Sequence, residues 1–259
     1  MSLAFHAEWT KARTLAGTCW LLLAVIALTV AVGSAAAGAV TCQVAGCGQD
    51  PAKIVLAGVD LSQAVVAILA VLAISGEYST GMIRVTFAAM PRRWTVLGAK
   101  AAVVTALVLV AGTIAVLGSV LAGRLILPGH GFTTAHGFPL LSLADGPVLR
   151  AAAGSVLYLG LIALLSLGIA AAVRDSAAAI GVVLGLLYLF PIIAAALAHD
   201  QHWYRHLQQI GPMTAGLAIQ ATTGLRGLPI SPWAGLGVLA AWAAAALLAG
   251  GLLLSMRDA

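Results

Sequence analysis

Three closely spaced histidines, His199, His202 and His206, are the side chains best suited to metal chemistry. On a helix they would share one face, because they are three and four residues apart. Imidazole nitrogens on a shared face can bind zinc or copper. The same stretch contains Trp203 and Tyr204, which are typical of an amphipathic segment at a membrane surface. We favour this second interpretation and predict no metal ion.

Two cysteines, Cys42 and Cys47, occur in one short segment beside Gly46 and Gly48. A disulfide between them would close a small ring on the oxidising side of a membrane. Two free thiols or a metal-binding pair are the alternatives, and the sequence leaves the choice open.

Asp60 and Gln63 are polar residues in an apolar stretch, spaced to lie on one helical face. An acid inside a membrane suggests a substrate contact or a proton site. Asp60 precedes Glu77 by about 17 residues, or about 25 Å of helix. If Glu77 marks the inner surface of a ~30 Å apolar layer, Asp60 lies near the outer surface and reaches water. We therefore treat both as possible polar groups of a pathway, but favour an architectural role, with Gln63 facing other helices.

The composition requires lipid as the main solvent of this chain. Hydrophobic residues make up 62% of its 259 residues and charged residues 8%, and the mean hydropathy is +1.07. Soluble domains carry about 25% charged residues. Six apolar windows predict transmembrane helices, at about residues 17–39, 56–76, 96–122, 151–173, 176–198 and 233–256. The first run, of roughly 20 residues, is longer than a signal-peptide core and is expected to be retained. The prediction is an all-α polytopic membrane protein with one domain.

The basic residues indicate how the chain is oriented. Eight of them fall on the side of the N-terminus: Lys11, Arg13, Arg84, Arg92, Arg93, Lys100, Arg174 and Arg257. Five fall on the other side, in longer loops: Lys53, Arg124, Arg150, Arg205 and Arg226. The positive-inside rule therefore predicts both termini in the cytoplasm of a multi-pass protein of the cell membrane. Because these residues lie between apolar runs, the net charge of +5 does not indicate nucleic acid as a partner.

The most informative segment, GEYSTGMIRVTFAAMPRR, directly follows the second apolar window. Taken by its residues alone, it can be an ordinary interfacial loop with basic residues. The segment closely resembles the type-two permeases of ATP-binding-cassette exporters, and in particular their small actinobacterial-style members. Glu8-Trp9-Thr10-Lys11-Ala12-Arg13 before the first window and the layout of six spans extend the resemblance to nearly the whole chain. Met82 and Val85 stand where many relatives carry Thr, which puts side-chain detail in doubt.

The resemblance implies a role for several polar residues. A cytoplasmic coupling helix would dock on an ATPase through Glu77, Tyr78, Ser79, Thr80, Gly81 and Arg84. A second cytoplasmic loop would contain Arg174 and Asp175, and an N-terminal interfacial helix over residues 2–15 would contain Glu8, Trp9, Lys11 and Arg13. An extracellular re-entrant hairpin over residues 207–223 would precede the last span.

The expected function is that of a transport subunit and not of an enzyme. The chain lacks a phosphate-binding loop of the type Gly, four residues, Gly-Lys-Ser/Thr, so ATP and Mg²⁺ would be bound by a partner ATPase. Two copies of the chain would pair in the lipid and export an amphiphilic or hydrophobic cargo such as a peptide antibiotic, a drug or a lipid-like molecule. An ion-coupled secondary carrier and an intramembrane enzyme are the alternatives.

Overall fold

The computed structural model describes residues 8–11, 16–42, 47–79, 93–197 and 201–256, and the side chains at 77–79, 93, 197, 201 and 202 are not described. Within these residues the protein is all-α, without a strand. Six helices are long and apolar enough to cross a membrane. The chain is thus a multi-pass membrane protein by its architecture.

The helices follow the predicted windows closely. Their bounds are α1 Ala16–Ala39, α2 Pro51–Val55, α3 Val59–Ser79, α4 Arg93–Ile126, α5 Gly146–Val173, α6 Ser176–Leu184, α7 Phe190–Leu197, α8 Gln201–Ile210, α9 Pro212–Leu217 and α10 Pro232–Met256. A 3₁₀ turn, Leu56–Gly58, joins α2 to α3, and a π-helical turn, Gly185–Leu189, joins α6 to α7. The six spans are therefore α1, α2–α3, α4, α5, α6–α7 and α10.

Two spans begin a few residues before their predicted starts. The second begins at Pro51 and not near Leu56; the Asp50 side chain accepts a hydrogen bond from the Lys53 N–H, and Pro51 occupies the first turn. The fourth begins at Gly146 with a proline in its first turn, and the preceding Asp145 makes no side-chain capping bond. Hydropathy alone places neither start, because charged residues lie among the first residues of both helices.

The fourth span, α5, lies at the centre of the bundle. It packs against α10, α3 and α4, and 61% of its apolar window is buried, compared with 17% for α1. Gly168 and Gly250 let α5 and α10 approach at backbone distance, because a Cβ on Gly250 would lie 2.5 Å from the Gly168 carbonyl oxygen. Small residues at such crossings are the usual means of close packing between membrane helices.

The two ends of the bundle are named here after one residue each. The Asp50 end holds residues 40–42, 47–50, 127–145 and 201–231. There the Cys42 N–H donates to the His130 carbonyl over 2.9 Å. The Lys100 end holds residues 8–11, the start of α4 and the turn between α5 and α6.

Candidate functional site

A buried ion pair at the Lys100 end ties the N-terminal residues to the third span. The Lys100 ammonium lies 2.6 Å from Glu8 Oε2, and the two side chains are 5% and 9% exposed. Lys11 approaches the other carboxylate oxygen at 3.4 Å and is more exposed. Residues 8–11 are helical, and the side chain of Trp9, one of these residues, is exposed. Because both side chains of the Glu8–Lys100 pair are buried, removing one would leave the other as a buried charge without this partner.

The predicted ATPase-coupling residues are only partly described. Glu77, Tyr78 and Ser79 belong to the last turn of α3, although their side chains lie outside the described part of the structure. Thr80, Gly81, Arg84 and, at the N-terminus, Arg13 fall outside the described residues. α3 thus extends past the predicted end of the second span, and the next described helix, α4, begins at Arg93.

Arg174 and Asp175 form a tight turn at the same end. Arg174 adopts a left-handed conformation with φ of 65°, and its N–H donates to the Ala170 carbonyl, which ends α5. The Asp175 carboxylate accepts a hydrogen bond from the Ala178 N–H over 2.7 Å, which caps α6. Two residues therefore reverse the chain between the fourth and fifth spans.

A side-chain network inside the bundle connects the second, fourth and fifth spans. Gln63 is fully buried; its amide donates to the Asp60 carbonyl over 2.9 Å, and its carbonyl accepts from the Tyr158 hydroxyl. The Tyr188 hydroxyl donates to the same Asp60 carbonyl. Tyr188 stands in the π-helical turn, which precedes Pro191. Turns of this kind are frequent at functional positions.

Sequence reasoning found two members of this network and missed Tyr158 and Tyr188. A tyrosine in an apolar span is itself a signal, because a buried hydroxyl usually finds a hydrogen-bond partner. Which partner it finds depends on the packing of helices that are distant along the chain, and the sequence alone does not show that packing.

At the other end of the bundle, the Asp50 carboxylate lies outside the spans and accepts several hydrogen bonds. It accepts hydrogen bonds from the Thr222 hydroxyl at 2.6 Å, the Thr222 N–H at 2.5 Å and the Thr223 N–H at 3.0 Å, in addition to its capping bond with Lys53. Burial acts to raise the pKa of Asp50, but the hydrogen bonds from Thr222, Thr223 and Lys53 outweigh it and lower the pKa below its usual value of 3.8.

Further contacts attach the connection before the last span to the bundle. α8 and α9 meet at Gly211 and lead into a 3₁₀ turn that ends with the buried Gln220. The Gln220 amide donates to the Leu56 carbonyl over 3.4 Å and to the Ser155 hydroxyl over 3.3 Å. The Arg150 guanidinium donates to the Ala221 carbonyl over 2.6 Å. This connection is therefore bonded to the second and fourth spans.

The remaining predicted groups also lie towards the Asp50 end. Cys42 and Cys47 form a disulfide. His199 lies outside the described residues, the side chain of His202 is not described, and His206 is exposed on α8. Among the described residues, no three His, Cys, Asp or Glu side chains come together as metal ligands.

No protein-family model matches the chain, and none of the curated proteins matches it. Three features of the chain bear on its function: the Glu8–Lys100 pair, the Gln63 network and the bonds of the Asp50 end.

Proposed function

We propose that this chain is the membrane subunit of an ATP-driven exporter that moves an amphiphilic cargo outward with energy from a separate ATPase. The observation that carries the proposal is the Glu8–Lys100 ion pair. It joins the N-terminal residues to the helix that follows the segment GEYSTGMIRVTFAAMPRR. The resemblance assigns the ATPase contact to that segment and to the turn at Arg174 and Asp175, and it implies that the N-terminal interfacial helix touches the ATPase.

Helix directions also support one coupling surface at the Lys100 end. α5 runs antiparallel to α4, since Gly160 faces Leu109 and Gly112 faces Leu159, so the Arg174 turn lies near the start of α4. α10 ends there as well: a Cβ on Gly251 would lie 2.2 Å from the Trp94 ring. A force applied between α3 and α4 would therefore reach the third and sixth spans directly.

In the proposed mechanism the chain contributes the pathway and the contact with the motor. Glu77, Tyr78, Ser79, Thr80, Gly81, Arg84, Arg174 and Asp175 would contact the ATPase, which would bind ATP and Mg²⁺. Two copies of the chain would pair, and closure of the two ATPases would move the spans. The residues of the Lys100 end would lie in the cytoplasm, and the connection from α8 to Gln220 would be the extracellular hairpin.

The test is ATP hydrolysis by the chain reconstituted in lipid with the ATPase encoded beside it. We expect vanadate-sensitive hydrolysis above that of the ATPase alone, and a loss of this stimulation in Arg84→Glu. Arg226→Glu, at the Asp50 end, is the matched control and should keep it. If the ATPase neither binds the chain nor hydrolyses ATP faster with it, the proposal is wrong.

Sidedness provides a second test that needs no partner. In a Cys19→Ala background, where Cys42 and Cys47 are held in their disulfide, the thiol of Tyr78→Cys should react with a membrane-impermeant maleimide only after the cell membrane is opened. A cysteine at Thr223 should react in intact cells. Labelling of residue 78 from outside would leave no cytoplasmic contact for an ATPase and would exclude the exporter.

One observation favours an ion-coupled carrier as a second candidate. Asp60 is an acid inside the spans, and its Oδ1 atom has no hydrogen-bond partner. Carriers use buried charges of this kind to bind their coupling ion. Vesicles with a proton or sodium gradient and no nucleotide would then be sufficient for transport, whereas the exporter requires ATP.

A further inference from the structure

Asp60 carries the polar atom in the spans that most needs an explanation. Its Oδ1 is buried and accepts no hydrogen bond, while the residue as a whole is only half-buried. A carboxylate in an apolar layer is costly, and buried polar atoms are nearly always paired. The residue therefore reaches the surface of the bundle through atoms other than Oδ1.

The donors around Asp60 are directed away from its carboxylate. The Tyr188 hydroxyl and the Gln63 amide both donate to the Asp60 backbone carbonyl. The Tyr158 hydroxyl donates to Gln63 Oε1. The neighbouring side chains thus fix the position of Asp60 on α3 and leave Oδ1 unpaired.

The nearest basic residue on the same helical run does not neutralise Asp60 either. Lys53 is exposed at the Asp50 end and acts on Asp60 electrostatically, but it forms no ion pair with it. Since no basic side chain in the described part of the chain forms an ion pair with Asp60, a cation that pairs with its carboxylate would come from outside that part of the chain.

The surroundings of the carboxylate suit an organic cation. Leu61, beside Asp60, is 49% exposed, and Tyr188 is half-buried in the π-helical turn of the fifth span. Leu61 is the sequence neighbour of Asp60, and the Tyr188 hydroxyl reaches the Asp60 backbone carbonyl, so an apolar side chain and an aromatic residue lie near Asp60. These are elements that recognise an amine or phosphonium group on an apolar body. A metal ion would require several more oxygen or nitrogen ligands.

We propose that Asp60, held by Gln63 and Tyr188, binds the positively charged group of an amphiphilic ligand between the second and fifth spans. That this ligand is the cargo rests on the proposed function; that the site binds an amphiphilic cation does not. The carboxylate supplies the charge, and the exposed apolar side chains around it contact the body of the ligand.

Binding of tetraphenylphosphonium to the purified chain in lipid nanodiscs tests the site without any ATPase. Equilibrium dialysis, corrected with empty nanodiscs, gives the affinity, and triphenylphosphine oxide serves as a neutral probe of similar bulk. We expect Asp60→Asn to weaken binding of the cation about tenfold, which corresponds to about 1.4 kcal/mol. Binding of the neutral probe should not change.

Three further variants separate this site from general effects of charge or packing. Asp60→Glu should retain most of the affinity, and Asp145→Asn, which removes an exposed acid at the Asp50 end, should leave it unchanged. Lys53→Gln should strengthen binding of the cation by about twofold to fivefold, because a competing positive charge is removed. This last variant keeps the test decisive if Asp60→Asn does not fold.

The proposal is overturned if Asp60→Asn binds the cation as tightly as the parent chain, or if both probes weaken together. It is also overturned if Lys53→Gln has no effect on either probe. If the parent chain binds the cation but does not stimulate the ATPase, only the exporter proposal is contradicted. The two failures are therefore distinguishable.

Discussion

The Asp50 end and the Lys100 end are held together by different means. At the Asp50 end, the Asp50 carboxylate accepts hydrogen bonds from Thr222 and Thr223, and the Arg150 guanidinium donates to the Ala221 carbonyl, so the connection before the last span is bonded to the second and fourth spans. The Cys42 N–H donates to the His130 carbonyl, and Cys42 is also joined to Cys47 by the disulfide. At the Lys100 end, in the part that the structure describes, a buried ion pair and the packing of Trp94 on Gly251 join the N-terminal residues, α4 and α10.

In the exporter proposed above, the difference indicates which end can receive the force of the ATPase. Polar bonds between separate connections hold the Asp50 end, whereas at the Lys100 end the buried Glu8–Lys100 pair joins the N-terminal residues to the third span. A partner that contacts residues 8–11 or the start of α4 would act on that pair directly. Removing the bonds of each end in turn tests this difference.

Removing Lys100 should have the largest effect. Lys100→Met removes the buried partner of the Glu8 carboxylate and leaves the more exposed Lys11 beside it, and we expect a loss of about 3–5 kcal/mol of stability. Thermal unfolding in nanodiscs measures it, and Lys11→Met, which affects a more exposed partner, should cost less than about 1 kcal/mol. The double variant Glu8→Gln/Lys100→Met should recover part of the loss. An equal effect of Lys11→Met and Lys100→Met would contradict the importance assigned to the buried pair.

Removing the Asp50 carboxylate should cost less, since the residue is half-exposed and its bonds are spread over several donors. For Asp50→Ala we expect a loss of about 2 kcal/mol, caused by the Thr222 and Thr223 donors left without this acceptor. Proteolysis between α9 and α10 should become faster, which identifies the affected connection. Asp145→Asn serves as the control, and unchanged proteolysis in Asp50→Ala would contradict the role given to this carboxylate.

The same carboxylate predicts a dependence on pH. Because the pKa of Asp50 is lowered in the folded chain, its stabilising contribution is complete above the ordinary value of 3.8 and is lost as pH falls below it. As pH falls below about 4, the melting temperature of the parent chain should therefore fall more steeply than that of Asp50→Asn. Identical slopes would show that the bonds from Thr222 and Thr223 do not depend on the charge of Asp50.

The disulfide should contribute less again, because it closes a ring of only a few residues. Cys42→Ser is expected to cost at most about 2 kcal/mol. Thiol titration of the unfolded chain provides the direct measurement: one thiol, that of Cys19, should react before reduction and three after it. Three reactive thiols before reduction would remove the disulfide from the comparison.

The sequence predicted the spans well and the bonds between them poorly, for a physical reason. Apolar windows report the thickness of the lipid layer, so the helices begin and end within a few residues of their predicted bounds, apart from starts such as Pro51 that a capping residue determines. Glu8 and Lys100 are 92 residues apart, and Asp50 and Thr222 are 172 apart. No local pattern encodes such pairs, and Asp50, Tyr158 and Tyr188 were missed because their roles exist only after the helices pack.

The smallest effect is expected between the two ends, where Tyr158 meets Gln63. Tyr158→Phe removes a hydroxyl that donates to a fully buried amide, but hydrogen bonds inside membrane proteins contribute about 0.6 kcal/mol on average and at most about 1.7. We expect a loss of about 1 kcal/mol in thermal unfolding, with no change for Tyr204→Phe on the exposed face of α8. Because Gln63 also holds the Asp60 carbonyl, Tyr158→Phe should weaken binding of tetraphenylphosphonium less than Asp60→Asn does. A loss in Tyr158→Phe as large as that in Lys100→Met would contradict the comparison, since stability would then depend chiefly on the middle of the bundle and not on its two ends.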